Sequence, residues 1–242
     1  MTRLISDREL TATTVVANNT MNRERGLTGV NSYARELGFD PAAWLREHGG
    51  ASPAWLDLCS SEGRALAEAA RRLPPTAELT GVDLVGPQAA RPAPQALAAD
   101  ADAARPGLRL ITAAVADWTP TLGPGRSYDL ITCVHGLHYL GDQLAALTRA
   151  ATWLAPAGRL AAHFDPDSIR HPDGSSAARP VVAALRAAGF AYHPRRHLLV
   201  LDGGRSVHLP FTYTGADPSA GPNYTGQPAV ASHYRHTART PV

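Results

Sequence analysis

The chain has 242 residues, 44% of them hydrophobic, and a formal net charge of +2, enough for one substantial core and little more. All 23 basic residues are arginine, which excludes Schiff-base chemistry, a lysine general base and the lysine of a phosphate-binding P-loop. Like charges form no run and no stretch approaches the roughly eighteen apolar residues of a membrane helix, so neither a nucleic-acid partner nor a membrane span is expected.

The opening "MTRLISDREL" has no apolar core of the kind a secretory signal carries. Cys59 and Cys133 sit at the ends of apolar runs and read as reduced, buried thiols, so a cytoplasmic protein is the plain reading. Residues 1–30 are polar and weakly periodic, an arm or lid. In "GFDPAAWLREHGG" Asp40 is placed to N-cap a helix that begins at Pro41 and stops at Gly49–Gly50. Strands and helices then alternate. "AWLDLC" (54–59) reads as a strand, "EGRALAEAARRL" (62–73) as a helix with Leu66, Ala69, Ala70 and Leu73 on one face, and "AELTGVDL" (77–84) as a second strand. The segment from Pro87 to Pro106 holds four prolines, so any helix there is short or broken. "LRLITAAV" (108–115), "YDLITCVH" (128–135) and "GRLAAHF" (158–164) read as strands three to five, with a helix before Pro156 between the last two.

This alternation predicts a doubly wound, mainly parallel sheet with helices on both faces. After the helix "ARPVVAALRAAGF" the pattern changes. "HLLVLD" and "RSVHLPF" flank Gly203–Gly204 and read as an antiparallel hairpin with a two-residue turn. Residues 212–242, rich in Gly, Pro, Thr and Ser, read as a tail with little capacity to form core.

Five stretches in order resemble the class I S-adenosylmethionine-dependent methyltransferases. "WLDL" with "CSSE" and Gly63 is similar to that family's first strand and glycine loop, although Cys59 and Ser61 stand where it carries its first two glycines. Asp83, twenty residues past Gly63, resembles the acid that holds the ribose hydroxyls, and Ala116-Asp117-Trp118 the pair that meets adenine. "YDLITCVHGLHYL" and "LAPAGRLAAHF" complete a resemblance that covers residues 33–211. It implies a Rossmann-like, seven-stranded α/β fold ending in the antiparallel hairpin, with a lid or helical arm over 1–50, the cofactor domain over 51–211, and a tail over 212–242 that offers a second lid. It also implies S-adenosylmethionine as cofactor and S-adenosylhomocysteine as product. Around them it places Tyr33, Asp57, Leu58, Cys59, Ser60, Ser61, Gly63, Asp83, Leu84, Ala116, Asp117, Trp118 and Val134. Cys59 and Ser61 are small enough for close backbone approach as long as neither position needs left-handed φ. The alternative reading is that the loop fills the pocket and no cofactor enters, against which the retained Asp57, Asp83 and Asp117 weigh.

Methyl transfer from a sulfonium needs alignment of the acceptor, exclusion of water and, for some acceptors, removal of a proton. His138 is the first candidate for that proton and His135 the second; the plainer readings are packing for His138 and a backbone contact for His135. Tyr33 either meets the methionine end of the cofactor or packs on the sheet, and Trp118 lies either beside adenine or in the core. His193 and His197 are separated by Pro194, and Asp165 and Asp167 fit a turn, so no metal site is expected. "GPNYTG" (221–226) is either lid or tail.

The chain lacks the proline–aromatic signature of nucleic-acid amino-methyltransferases and the double-glutamate loop of protein-arginine enzymes. The expected acceptor is therefore a small molecule of specialised metabolism, with a homodimer allowed. Two other classes stay open on the altered loop: a non-methylating enzyme on the same fold, such as a cyclase, and a non-catalytic partner.

Overall fold

The structure is a computed structural model and describes residues 3–16, 25–85, 107–123 and 125–237. The four-proline segment from Pro87 to Pro106 lies outside the described residues. Helices α1 (Asp7–Leu10), α2 (Tyr33–Leu37) and α3 (Pro41–His48) precede the sheet. Asp40 caps α3 as expected, accepting from the backbone of Ala42 and Ala43 at 2.9 and 3.2 Å.

The alternation that follows is β1 (Ala54–Leu58), α4 (Arg64–Ala70), β2 (Glu78–Asp83), β3 (Leu108–Thr112), β4 (Tyr128–Cys133), α5 (Gln143–Trp153) and β5 (Leu154–His163). Then come β6 (Ile169–Arg170), α6 (Ala178–Ala187), β7 (Ala191–His193), β8 (Leu198–Asp202), β9 (Phe211–Asp217) and β10 (Ala231–His236).

Seven strands form one sheet in the order β3-β2-β1-β4-β5-β8-β7. The first five run parallel, and β8 runs antiparallel to both β5 and β7. All five residues of β1 are buried, because helices cover both faces of a central strand and leave neither to solvent. Its side chains alternate between two cores: Leu56 and Leu58 pack toward α5 and α6, Trp55 toward α2, α3 and α4. Strand order reverses between β1 and β4, so the crevice outside the C-terminal ends of these strands is where such a sheet holds ligands.

Two expectations need correction. The antiparallel hairpin exists, but one strand earlier than read: its arms are β7 and β8, joined by a 3-10 turn over Pro194–Arg196. Gly203 and Gly204 do not reverse the chain. They dock on the start of β5, donating to the carbonyls of Gly158 and Ala155 at 2.8 and 2.9 Å. A Cβ on Gly204 would lie 1.8 Å from the Leu154 carbonyl oxygen.

The second correction is that the tail is largely structure. β9 and β10 pair with β6 in a three-stranded sheet, and Tyr234 is 1% exposed. Its hydroxyl donates to Asp142 at 2.8 Å and accepts from Leu144 N at 3.0 Å. Among the described residues no helix is long and apolar enough to cross a membrane.

Candidate functional site

The crevice at the reversal point is a cavity of about 530 Å³, within the usual range for small-ligand sites. The loop after β1 forms one wall. Cys59 and Ser61, with φ of 57° and 56°, both take the left-handed backbone that glycine adopts without cost. The sequence-based condition that neither position need it is therefore not met. The turn keeps its shape by holding two non-glycine residues in strain, of order 1–3 kcal/mol each, and it leaves the cavity open. The retained Gly63, φ 72°, starts α4, and a Cβ there would sit 2.4 Å from Leu110 Cδ2.

Asp83 ends β2 beside this loop. Its carboxylate accepts from Ser61 N at 2.8 Å and from Val85 N at 3.0 Å, which fixes its direction at the cavity wall. Burial raises its pKa, against those hydrogen bonds. Among the described residues the buried Ser61 hydroxyl has no hydrogen-bond partner, an orphan that a bound ligand would satisfy. Tyr33, Cys59, Ser60, Ser61, Asp83, Leu84, Ala116, Asp117, Val134, His135 and His138 all line the cavity.

Asp57, Leu58, Gly63 and Trp118 are not on its lining. Trp118 packs edge-on against Trp153 at 5.8 Å, in the core. Asp57 lies behind Tyr33, accepting from its hydroxyl at 2.7 Å and from Thr132 Oγ1 at 2.6 Å. Burial raises the Asp57 pKa to about 7, and the carboxylate positions Tyr33 without facing the cavity.

The loop after β4 carries the histidines. His135 is a third strained residue, φ 56°. Its Nδ1 pairs with the Tyr224 hydroxyl at 2.9 Å, and its Nε2 lies 3.0 Å from Glu36 Oε2. The His135 ring beside it is the main cause that lowers the Glu36 pKa to about 2. His135 also stacks on His163, centroids 4.0 Å apart.

Glu36, His135 and His163 thus bring three ligand-type atoms within 4.8 Å of one another. The two rings are nearly parallel, 9° apart, so their nitrogen lone pairs run side by side, and a shared ion would require one ring to turn. Asp165 caps the 3-10 turn Pro166–Ser168 by accepting from Asp167 N at 3.1 Å, the turn role expected of it. His138 is 1% exposed, and burial, with the neighbouring His135 and Arg25, lowers its pKa to about 3.

Sequence reasoning missed Glu36, His163 and Tyr224 as site residues, together with Asp7 and Asp142. Only Tyr224 left a signal, in the "GPNYTG" loop, which stacks this ring on His197 at 3.9 Å and brings Thr225 and Gln227 to the cavity.

The methyltransferase domain family matches residues 32–200 of the chain. No curated protein matches it. Among solved structures, the S-adenosylmethionine-bound amino pentose methyltransferase CalS10 from Micromonospora echinaspora, involved in calicheamicin biosynthesis, is 26% identical. The similarity covers 55% of this chain and 50% of that one, with a TM-score of 0.36. The plantazolicin methyltransferase BpumL in complex with SAH is 16% identical over 52% of this chain and 45% of that one, TM-score 0.38. StiE O-MT residues 961–1257 is 15% identical over 65% and 53%, TM-score 0.45. The chain spans about half the length of these solved chains.

Proposed function

Because the chain belongs to the methyltransferase domain family, we propose that it transfers a methyl group from S-adenosylmethionine to a small-molecule acceptor of natural-product biosynthesis, leaving S-adenosylhomocysteine. The observation that carries this reading is Asp83, locked by two backbone N–H groups at the wall of the cavity where the strand order reverses. The residues present fit the cofactor. Asp83 supplies an acceptor for ribose hydroxyls, Asp117 one for the adenine amino group, and the orphan Ser61 hydroxyl a partner for the amino-acid end.

When bound, the cofactor supplies an activated methyl group on sulfur. The protein's part is to align the acceptor and exclude water. Both ends of the chain serve as covers: Leu10 of α1 and Thr225 and Gln227 of the loop before β10 all line the cavity. His138, neutral across the physiological range, suits accepting a hydrogen bond from the acceptor more than taking its proton. His135 has both ring nitrogens engaged, Nδ1 with Tyr224 and Nε2 beside Glu36, which suits ordering the wall more than taking a proton.

Calorimetric titration with S-adenosylmethionine and S-adenosylhomocysteine, followed by methyl-transfer assays over small acceptors, tests the reading. Absence of binding to either cofactor form would overturn it. Turnover in His138→Gln should stay near the parental level, whereas a proton-accepting role would cost about 10²–10⁴-fold.

A further inference from the structure

We propose that the acceptor is a cationic amine whose ammonium group is held between Asp7 and Asp142, an assignment that rests on the methyl-transfer reading above. Asp7 opens α1 and Asp142 caps α5, and both line the cavity. Each carboxylate is fixed through one oxygen only. Asp7 Oδ1 accepts from the Tyr213 hydroxyl at 2.7 Å; Asp142 Oδ1 accepts from Ala145 N at 2.9 Å and from the Tyr234 hydroxyl at 2.8 Å. Among the described residues the Oδ2 of each takes no hydrogen bond, and neither carboxylate is in an ion pair. The absence of a side chain at Gly141 makes the approach possible, since a Cβ there would sit 1.9 Å from Asp7 Oδ1.

Two half-buried carboxylates on one cavity wall repel each other and are costly to keep ionised. Burial and the Asp7 charge both raise the Asp142 pKa. A cationic ligand removes that cost. A separate observation points the same way. His138, 1% exposed and on the same cavity lining, has an Nδ1 with no hydrogen-bond partner among the described residues. As a neutral ring it can accept the second N–H of an ammonium.

The arginines on the cavity lining turn to other partners: Arg149 donates to the carbonyls of Val115, Ala116 and Trp118, Arg64 pairs with Glu68 at 2.9 Å, and Arg25 lies 3.6 Å from Glu36. Leu10, Val15, Val16 and Leu140 give the acceptor's body an apolar surround. In the transfer, the ammonium gives one proton to Asp142. The freed nitrogen lone pair then forms the bond to carbon as the carbon–sulfur bond breaks. The electron pair of the broken carbon–sulfur bond stays on sulfur, and the product leaves as a methylammonium, with charge conserved.

The test is calorimetry on the full chain saturated with S-adenosylhomocysteine. The probes are matched amine, alcohol and carboxylate on phenylethyl, cyclohexylmethyl and hexyl skeletons. At least one amine should bind, about tenfold or more tighter than its alcohol, with the carboxylate weakest. Asp142→Asn keeps the cap and should weaken that amine about tenfold while leaving S-adenosylhomocysteine affinity unchanged; Asp7→Asn should act in the same direction. The assignment fails if alcohols or carboxylates bind as well as amines, if no amine binds, or if both Asn variants bind the amine as the parent does. Failure of S-adenosylhomocysteine itself to bind would overturn the methyl-transfer reading and, with it, this assignment.

Discussion

Ser61→Gly should make the ligand-free protein more stable while weakening its hold on the cofactor. Ser61 sits at φ 56°, where a residue with a Cβ carries about 1–2 kcal/mol of strain. Glycine relieves that strain and returns about 0.5–1 kcal/mol through its greater freedom in the unfolded chain. The Ser61 hydroxyl is also buried with no hydrogen-bond partner among the described residues, a desolvation cost of about 1–3 kcal/mol that glycine removes. The balance is a gain of roughly 1–4.5 kcal/mol, or about 2–18 °C in Tm for a domain of this size. Ser61→Ala keeps the strain and loses only the hydroxyl, so it should fall between parent and glycine variant. Differential scanning calorimetry without ligand measures the order. If Ser61→Gly melts at or below the parent, or the alanine variant exceeds it, the loop is not strained as described. Calorimetric titration supplies the other half: loss of the hydroxyl should weaken S-adenosylmethionine by about 0.5–1.5 kcal/mol.

The buried titratable groups set opposing pH trends. The folded Asp57 carboxyl, at about 7 against 3.8 when unperturbed, binds a proton that the unfolded chain has released, so its contribution to stability falls between about pH 4 and 7. Asp57→Asn should abolish that fall in urea titrations across this window; an unchanged slope contradicts the assignment. Burial lowers the His138 and His163 pKa values to about 3 from 6.5, so stability is lost as pH drops below about 6.5 and the unfolded rings take up protons first. His163→Gln should flatten this acid loss, and a profile as steep as the parent's would show that the ring is not held neutral. Tyr234→Ala should cost about 3–5 kcal/mol in chemical denaturation, because the ring is core and its hydroxyl ties β10 to α5; a loss under about 1 kcal/mol would return these residues to the status of a tail.

The parallel part of the sheet was legible because its central strands are mostly apolar runs that burial on both faces explains, as in Ala54–Leu58, where Asp57 is the one polar residue. The C-terminal part was less so. β9 and β10 carry the Phe, Tyr and Thr of strand formers, but reading the stretch by its overall glycine and proline content hid them. The hairpin was misplaced because Gly203–Gly204 has the composition of a tight turn, and only the contact with β5 shows that the glycines serve close packing instead. Within the site, residues next to strand ends could be located by spacing. Glu36, His163 and Tyr224 meet His135 from three distant segments, and no local pattern encodes such a meeting. The left-handed backbone at Cys59 and Ser61 was likewise invisible, since sequence gives the side chain and not the φ it must adopt.

The most direct test of the cofactor site is the affinity of S-adenosylhomocysteine, measured by calorimetry, for the parent, Asp83→Asn and Asp83→Ala. Asn keeps one oxygen, enough for the N–H of Ser61 or of Val85 but not for both, and so preserves more of the loop than Ala does. The parent should bind, and both variants should lose about 1.5–3 kcal/mol, the worth of charge-assisted hydrogen bonds to two hydroxyls. A parent that gives no binding heat at any temperature tried, or variants that bind as tightly as the parent, would contradict the placement of the cofactor in this cavity.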